Sequence, residues 1–426
     1  MEHSSGKADE TETLGSTEKG PGRRFVPSIV VTVFVLSISG PTLTVLTREI
    51  ATTFFGSATQ TTVGITAQLD TITNAAQVVT GGLMSFLAIR FGHKLLLMTG
   101  ILLQFISAAG AFLAPNFLWM QIFFAINGIG SVMLAIAAIT LIGDFVPQNR
   151  KAKTVSYILA ATWLALFAGA RIVSLVADLG TWRYVYLLLA LPAAAAALAV
   201  SYFGISSASH SHQPGVSREK YVRSFKQVLL NKSAAACLVA SLFFSGVIGF
   251  FAINFFRQQF WSDLSLPLQA QYASYIVMMS TLLFAAGSLV AGRLTNRFGV
   301  KTLTVVGALG DGIFIALLFL SPNLWMALAF NWLHVWFATT AGTALACLAL
   351  DQVPKARGTM MSMKSVFGNV GNTIGPAVGG ALLVWASYQA LGFMLGAMSV
   401  VASVIILSIA KDPTRGMREG EKTKIQ

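Results

Sequence analysis

The chain alternates long apolar runs with short polar punctuation. Runs near 25–48, 60–88, 95–114, 116–143, 153–178, 182–205, 231–257, 268–293, 302–321, 323–350, 358–386 and 388–410 are each long enough for a membrane-crossing helix. Such a helix needs about 20 apolar residues to cross a hydrocarbon core of about 30 Å. Lipid cannot satisfy backbone N–H and C=O groups, so a spanning chain must be helical or a closed barrel. These runs lack the strict alternation of barrel strands. The pattern predicts an all-α polytopic membrane protein of twelve transmembrane helices, called span 1 to span 12 below.

The order of the runs repeats. "LAIRFGHK" at 87–94 returns as "LTNRFGVK" at 294–301, and the same offset of 207 residues lays "FVPQNRKA" around Arg150 on "QVPKARGT" around Arg357. The chain thus divides into a polar tail at 1–24, a six-helix bundle at 25–205, a linker at 206–230, a second six-helix bundle at 231–410 and a tail at 411–426. The second part of the linker alternates Tyr221, Val222, Phe225, Val228 and Leu229 with charges, the pattern of an amphipathic helix on a membrane face. Two halves of like orientation form a parallel repeat, an arrangement whose substrate site lies at the interface of the repeats.

Composition narrows the function. Of the 426 residues 55% are hydrophobic and only 11% charged, which is not a soluble composition. The net charge of +13 reports topology rather than nucleic-acid binding: Arg48, Arg183 and Arg257 fall on one side, Arg171 inside a span, and the other Lys and Arg on the side of the termini. The positive-inside rule then puts both termini in the cytoplasm, with the protein in a plasma (inner) membrane. Cys237 and Cys347 fall within spans, so no disulfide framework is expected. No phosphate-binding glycine loop, metal cluster or His-Glu-x-x-His occurs. Neither an enzyme nor an ATP-driven pump is expected, and neither cofactor nor metal. Transport would draw on gradients.

Several motifs carry a family resemblance. "GRLTNRFGVK" (Gly292 to Lys301) resembles the Gly-x-Leu-x-Asp-Arg-aromatic-Gly-x-Lys loop of the major facilitator superfamily, with Asn296 at the acidic position and Arg297 and Gly299 in place. "SFLAIRFGHK" (Ser85 to Lys94) is a poorer copy: it keeps Arg90 and Gly92 but has Ser85 and Ile89 where the family has glycine and aspartate. "GNTIGPAVGG" on span 11 is similar to the family's Gly-x-x-x-Gly-Pro-x-x-Gly-Gly element, with Gly375 and Pro376, whereas span 5 keeps only Gly169. "TWRYVY" at 181–186 resembles the run that opens span 6. The resemblance covers 25–410 and points to the twelve-helix drug:proton antiporter branch. It implies alternating access by rocking of the two halves, with proton-coupled efflux of small organic or amphipathic compounds by a monomer. One departure stands out: the Arg that proton-coupled antiporters carry three residues before a span 4 glycine is Ala125 here, before Gly128.

Charged and polar residues inside spans need a cavity or a partner. Asp70 on span 2 and Arg171 on span 5 share a depth in the outer half. They could form a gate, or Asp70 could relay a proton and Arg171 bind an anionic substrate. Hairpin geometry brings Asp311 and His334 together at mid-membrane on spans 9 and 10, a carboxylate–imidazole pair suited to carrying a proton. The offset aligns His334 with Asn127 on span 4. The family's fold lines its cavity with spans 1, 4, 7 and 10, which offer Thr42, Phe250, Asn254, Asn331, Trp332 and Trp336. Such an aromatic, weakly polar lining suits amphipathic molecules. Arg48 and Glu49, near the outer end of span 1, read as solvated, and Lys364 as snorkelling. Two other functions remain open: transport of an anionic metabolite through Arg171, or a non-transporting membrane sensor or scaffold.

Overall fold

The computed structural model describes residues 25–145, 148–205, 225–247, 264–353 and 357–412. They form α1 (Phe25–Ser37), α2 (Thr42–Phe55), α3 (Gln60–Arg90), α4 (His93–Leu113), α5 (Phe117–Phe145), α6 (Gln148–Ala177), a π-helical turn π1 (Val185–Ala190) and α7 (Leu191–Gly204). A short α8 covers 225–230. There follow α9 (Lys232–Val247), α10 (Leu266–Phe298), α11 (Val300–Leu320), α12 (Leu324–Gln352), α13 (Arg357–Trp385) and α14 (Tyr388–Ile409). Span 1 is α1 with α2, and span 6 is π1 with α7. The remaining spans hold one helix each, span 7 being described only as far as Val247 in α9, in keeping with the twelve crossings that hydropathy predicts. Nine helices among the described residues are long and apolar enough to cross a membrane. The two long helices that fall short, α3 and α13, are more polar because they face each other across the middle of the molecule.

The repeat survives in detail. Shifting α4 and α5 by the sequence offset gives the bounds of α11 and α12. Asn116 and Asn323 both cap, accepting from the N–H groups of Trp119 and Met326. The lysines of the repeated motif also match. Lys94 Nζ donates to the carbonyls of Tyr202 and Ile205, and Lys301 Nζ to those of Leu407 and Ala410. Each lysine ties off the C-terminal carbonyls of its own half's last helix, where orphan acceptors and the negative dipole end favour a cation.

Span 1 runs to Phe55, past its expected end near 48, and is broken at 38–41. Pro41 lacks the N–H that would bond Ser37 and crowds that carbonyl. Helix α6 closes against the break: a Cβ on Gly169 would lie 2.0 Å from the Ile38 carbonyl oxygen. In the second half α13 approaches α9 in the same way, with virtual Cβ atoms on Gly371 and Gly375 at 2.0 Å from the carbonyls of Leu242 and Gly246. In lipid such contacts draw on van der Waals packing rather than on hydrophobic burial, so the smallest residue holds the closest approach.

Three buried cores show how the halves sit together. One occupies the termini side of the first half, with Phe25, Met84, Leu97 and Leu141. A second occupies the termini side of the other half, with Val228, Val300, Leu348 and Ala410. The third, at the far side, draws on both halves, joining Leu46, Val63 and Trp182 to Val277, Leu383 and Leu391. Among the described residues one buried core joins the halves at the far side, while at the termini side each half has its own. Gly64 and Gly82 lie on one face of α3, about five turns apart. A Cβ at Gly64 would meet the Gly380 carbonyl at 2.9 Å, and one at Gly82 would meet nothing within 4 Å.

Candidate functional site

Among the described residues three helix pairs, α3 with α13, α6 with α10 and α2 with α10, carry the main contact between the halves. On α6, Arg171 lays its guanidinium 5.0 Å from the centroid of the Tyr275 ring on α10, and its Nη1 is buried without a hydrogen-bond acceptor. Two turns toward the termini side, Trp163 stacks on Phe284 with centroids 4.4 Å apart. A cation over an aromatic face is attracted by the ring quadrupole, yet its hydrogen-bonding capacity stays unused. Arg171 therefore presents an uncompensated donor where the halves meet.

Asp70 does not compensate it. No ion pair joins the two among the described residues. Asp70 Oδ2 instead accepts from Asn74 Nδ2 at 2.8 Å, and that amide also reaches the Asp70 carbonyl at 2.9 Å. One turn further, Gln77 Nε2 donates to Ser131 Oγ on α5 at 3.0 Å. Asp70, Asn74 and Gln77, spaced i, i+4, i+7, form a polar stripe on one face of α3.

Asp311 and His334 do meet, as hairpin geometry predicts. His334 Nδ1 lies 2.6 Å from Asp311 Oδ1. The other carboxylate oxygen, Oδ2, accepts from Ser399 on α14, a partner that the sequence reading lacked. The carboxylate is fully buried, and the imidazole keeps 5% of its surface exposed. Glycines on either side let the aspartate reach both neighbours: a Cβ on Gly310 would strike Phe337, and one on Gly312 the Gly396 carbonyl. The pair thus lies among α11, α12 and α14, inside the second half.

The other expected lining residues divide. Thr42, 4% exposed, spends its hydroxyl on the Ser39 carbonyl in the span 1 break. Asn331, 3% exposed, donates to Ser280 on α10 at 3.1 Å. Both spend hydrogen bonds on the scaffold. Asn127 and Trp336 are half-buried; Trp332 has its indole N–H buried without an acceptor. Phe250 and Asn254 lie outside the described residues, as do the side-chain surroundings of Arg90, Gly292 and Asn296.

The two motif copies differ in backbone. Gly92 precedes α4 at φ −62°, open to any residue, whereas Gly299 joins α10 to α11 at φ 92°. Arg297 is exposed, its guanidinium 5.4 Å from the Phe298 ring centroid. The lysines on the termini side bond within their own half.

At the far side the reading of Arg48 as solvated is overturned. Arg48 is only 5% exposed, and its Nε donates to Gln269 Oε1 on α10, in the other half, at 2.6 Å. Its Nη2 donates to the Ala58 carbonyl at 3.0 Å. The Tyr388 phenol of α14 stands beside the guanidinium. Gln60 donates across the seam to the carbonyls of Leu383 and Ala386, and Gln68 to those of Pro376 and Ala377. Glu49 is half-buried rather than solvated.

The model of the Major Facilitator Superfamily matches residues 25–270 and 261–425. An uncharacterised MFS-type transporter of Bacillus subtilis, YwfA, is 23% identical over 319 residues, 74% of this chain and 76% of its own. The cis,cis-muconate transport protein of Acinetobacter baylyi is 25% identical over 354 residues, 79% of this chain and 83% of its own. Among solved structures, a D-xylose-proton symporter superposes with a TM-score of 0.68 at 17% identity, over 92% of this chain and 97% of that one. Two bundles in parallel repeat with a cation at their interface, and a family match covering both halves, carry one conclusion: the chain belongs to the major facilitator superfamily and is a membrane transporter, not an enzyme.

Proposed function

We propose that the protein is a secondary active transporter that works by alternating access and carries a small organic anion. The observation behind this reading is Arg171: a guanidinium with an unused buried donor, no carboxylate partner among the described residues, and a place between α6 and α10 where the halves meet. A carboxylate can take two parallel N–H bonds from such a fork, and the adjacent Tyr275 ring offers a face to an unsaturated or planar substrate. The similarity to a muconate transport protein is in keeping with this chemistry.

We place proton exchange at Asp311 and His334, where the imidazole is the one member of the pair with any exposure. Proton-coupled efflux of amphipathic compounds is the second reading. It is favoured by the half-buried Trp332 and Trp336 on α12 and the Trp163–Phe284 stack. On the positive-inside argument the termini side faces the cytoplasm.

Counterflow in proteoliposomes under an imposed pH gradient decides between the readings, using a panel of mono- and dicarboxylates beside lipophilic cations. Carboxylate flux that falls at least about tenfold in Arg171→Ala, with partial recovery in Arg171→Lys, supports the anion reading, since a lost charged hydrogen bond is worth about 1.5–3 kcal/mol. Cation flux indifferent to Arg171 overturns it in favour of efflux.

A further inference from the structure

We infer that Arg48 is a reversible latch that holds the far side of the transporter shut. It reaches from the first half into the second: one buried guanidinium engages Gln269 on α10 and stands beside Tyr388 on α14, while holding the Ala58 carbonyl of its own half. Gln269 is fixed in turn by its own amide, which donates to the Leu264 carbonyl at 2.8 Å. Arginine, glutamine and tyrosine are each less than a tenth exposed.

The choice of partners sets how tight the latch is. A buried arginine opposite a carboxylate, once broken, would leave two uncompensated charges, which makes separation expensive. Among the described residues the acceptors are an amide and a carbonyl, with a phenol alongside. Their charge–dipole bonds compensate the guanidinium's lost hydration only in part, and water can replace every one of them when the side opens. Contacts of this neutral kind cost less to break than an ion pair, as alternation between closed and open states demands.

The glutamines beside it obey the same logic. Gln60, the first residue of α3, donates to the carbonyls of Leu383 and Ala386 at the C-terminal end of α13. Those carbonyls lack helical partners, so the amide of one half caps a helix of the other only while the far side is closed. Arg48 is the charged member of the set and joins two second-half helices at once.

This inference rests on alternating access but not on substrate identity, so its test uses no substrate. Thiol reporters go on one face of α3: Ala67→Cys, buried at the closed end, and Gly82→Cys, in open space at the other. Both are placed in a Cys237→Ala, Cys347→Ala chain. The full-length protein is held in lipid nanodiscs, where both faces are accessible, and reacted with a hydrophilic maleimide. Arg48→Ala and Gln269→Ala should each speed labelling at Ala67→Cys by about tenfold and slow it at Gly82→Cys. The double variant should do no more than Arg48→Ala alone. Unchanged labelling at Ala67→Cys in both variants would overturn the latch. Faster labelling at both reporters would overturn it too, because that marks general loosening rather than a shift between states. Counterflow through Arg171 stands or falls separately.

Discussion

His334 Nδ1 lies 2.6 Å from Asp311 Oδ1, and Ser399 holds the carboxylate's other oxygen, so a single buried polar centre joins three helices of the second half. Removing one member leaves a charge or dipole without its partner, a loss of about 3–5 kcal/mol for a buried pair. Asp311→Ala and His334→Ala should each lower the unfolding midpoint in detergent markedly. The double variant should lose less than the sum, with a coupling of about 1 kcal/mol or more. Additive losses would show that the two side chains act independently, and proton exchange would then need another site.

The lysine ties predict equal effects in the two halves. Lys94→Met and Lys301→Met keep the apolar stem and delete the donors that hold the ends of α7 and α14. Each should cost about 1–2 kcal/mol locally. Hydrogen exchange should then rise at 198–205 in the first variant and at 403–409 in the second, without crossing over. Exchange that rises between the halves would instead mean that these cations fasten the halves together.

These features were not equally legible in the sequence. The spans, the repeat and the Asp311–His334 meeting follow from hydropathy and hairpin spacing, both of which are local or periodic. Arg48 could not be read that way: its partner Gln269 lies 221 positions away, and an arginine near a helix end looks solvated until the facing half is in place. Gln60 and Gln68 were invisible for the same reason. The partners of Thr42 and Asn331 were not legible either, because a polar residue on a cavity-lining helix can spend its hydrogen bonds on the scaffold. The span 1 break was not expected from hydropathy, which runs unbroken through Pro41, and only Gly169 pressed against Ile38 shows what the break accommodates.

That pressure gives a steric prediction. A methyl group at Gly169 would sit 2.0 Å from a carbonyl oxygen, whereas one at Gly82 meets nothing within 4 Å. Gly169→Ala must push α6 from α1, and a loss of about 3 kcal/mol or more is expected, the large end of overpacking. Gly82→Ala should be neutral or stabilise by up to about 1 kcal/mol, the helix-propensity difference. Thermal midpoints in detergent check both. Similar midpoints would mean that α6 does not need this approach.

The two copies of Arg-Phe-Gly-x-Lys should respond differently at their glycines. Gly299 holds φ 92°, a region that costs a side-chain-bearing residue about 1–3 kcal/mol, and its N–H bonds the Thr295 carbonyl to close α10. Gly92 sits at φ −62°, where alanine is unstrained. Gly299→Ala should therefore destabilise by about 1–3 kcal/mol, and Gly92→Ala should stay within about 0.5 kcal/mol of the parent. Because the strained turn positions Arg297, the same asymmetry should reach transport: Arg297→Ala is expected to impair flux more than Arg90→Ala. Equal effects at both glycines and both arginines would show that the second copy holds no special place in the cycle, whatever its closer match to the family loop.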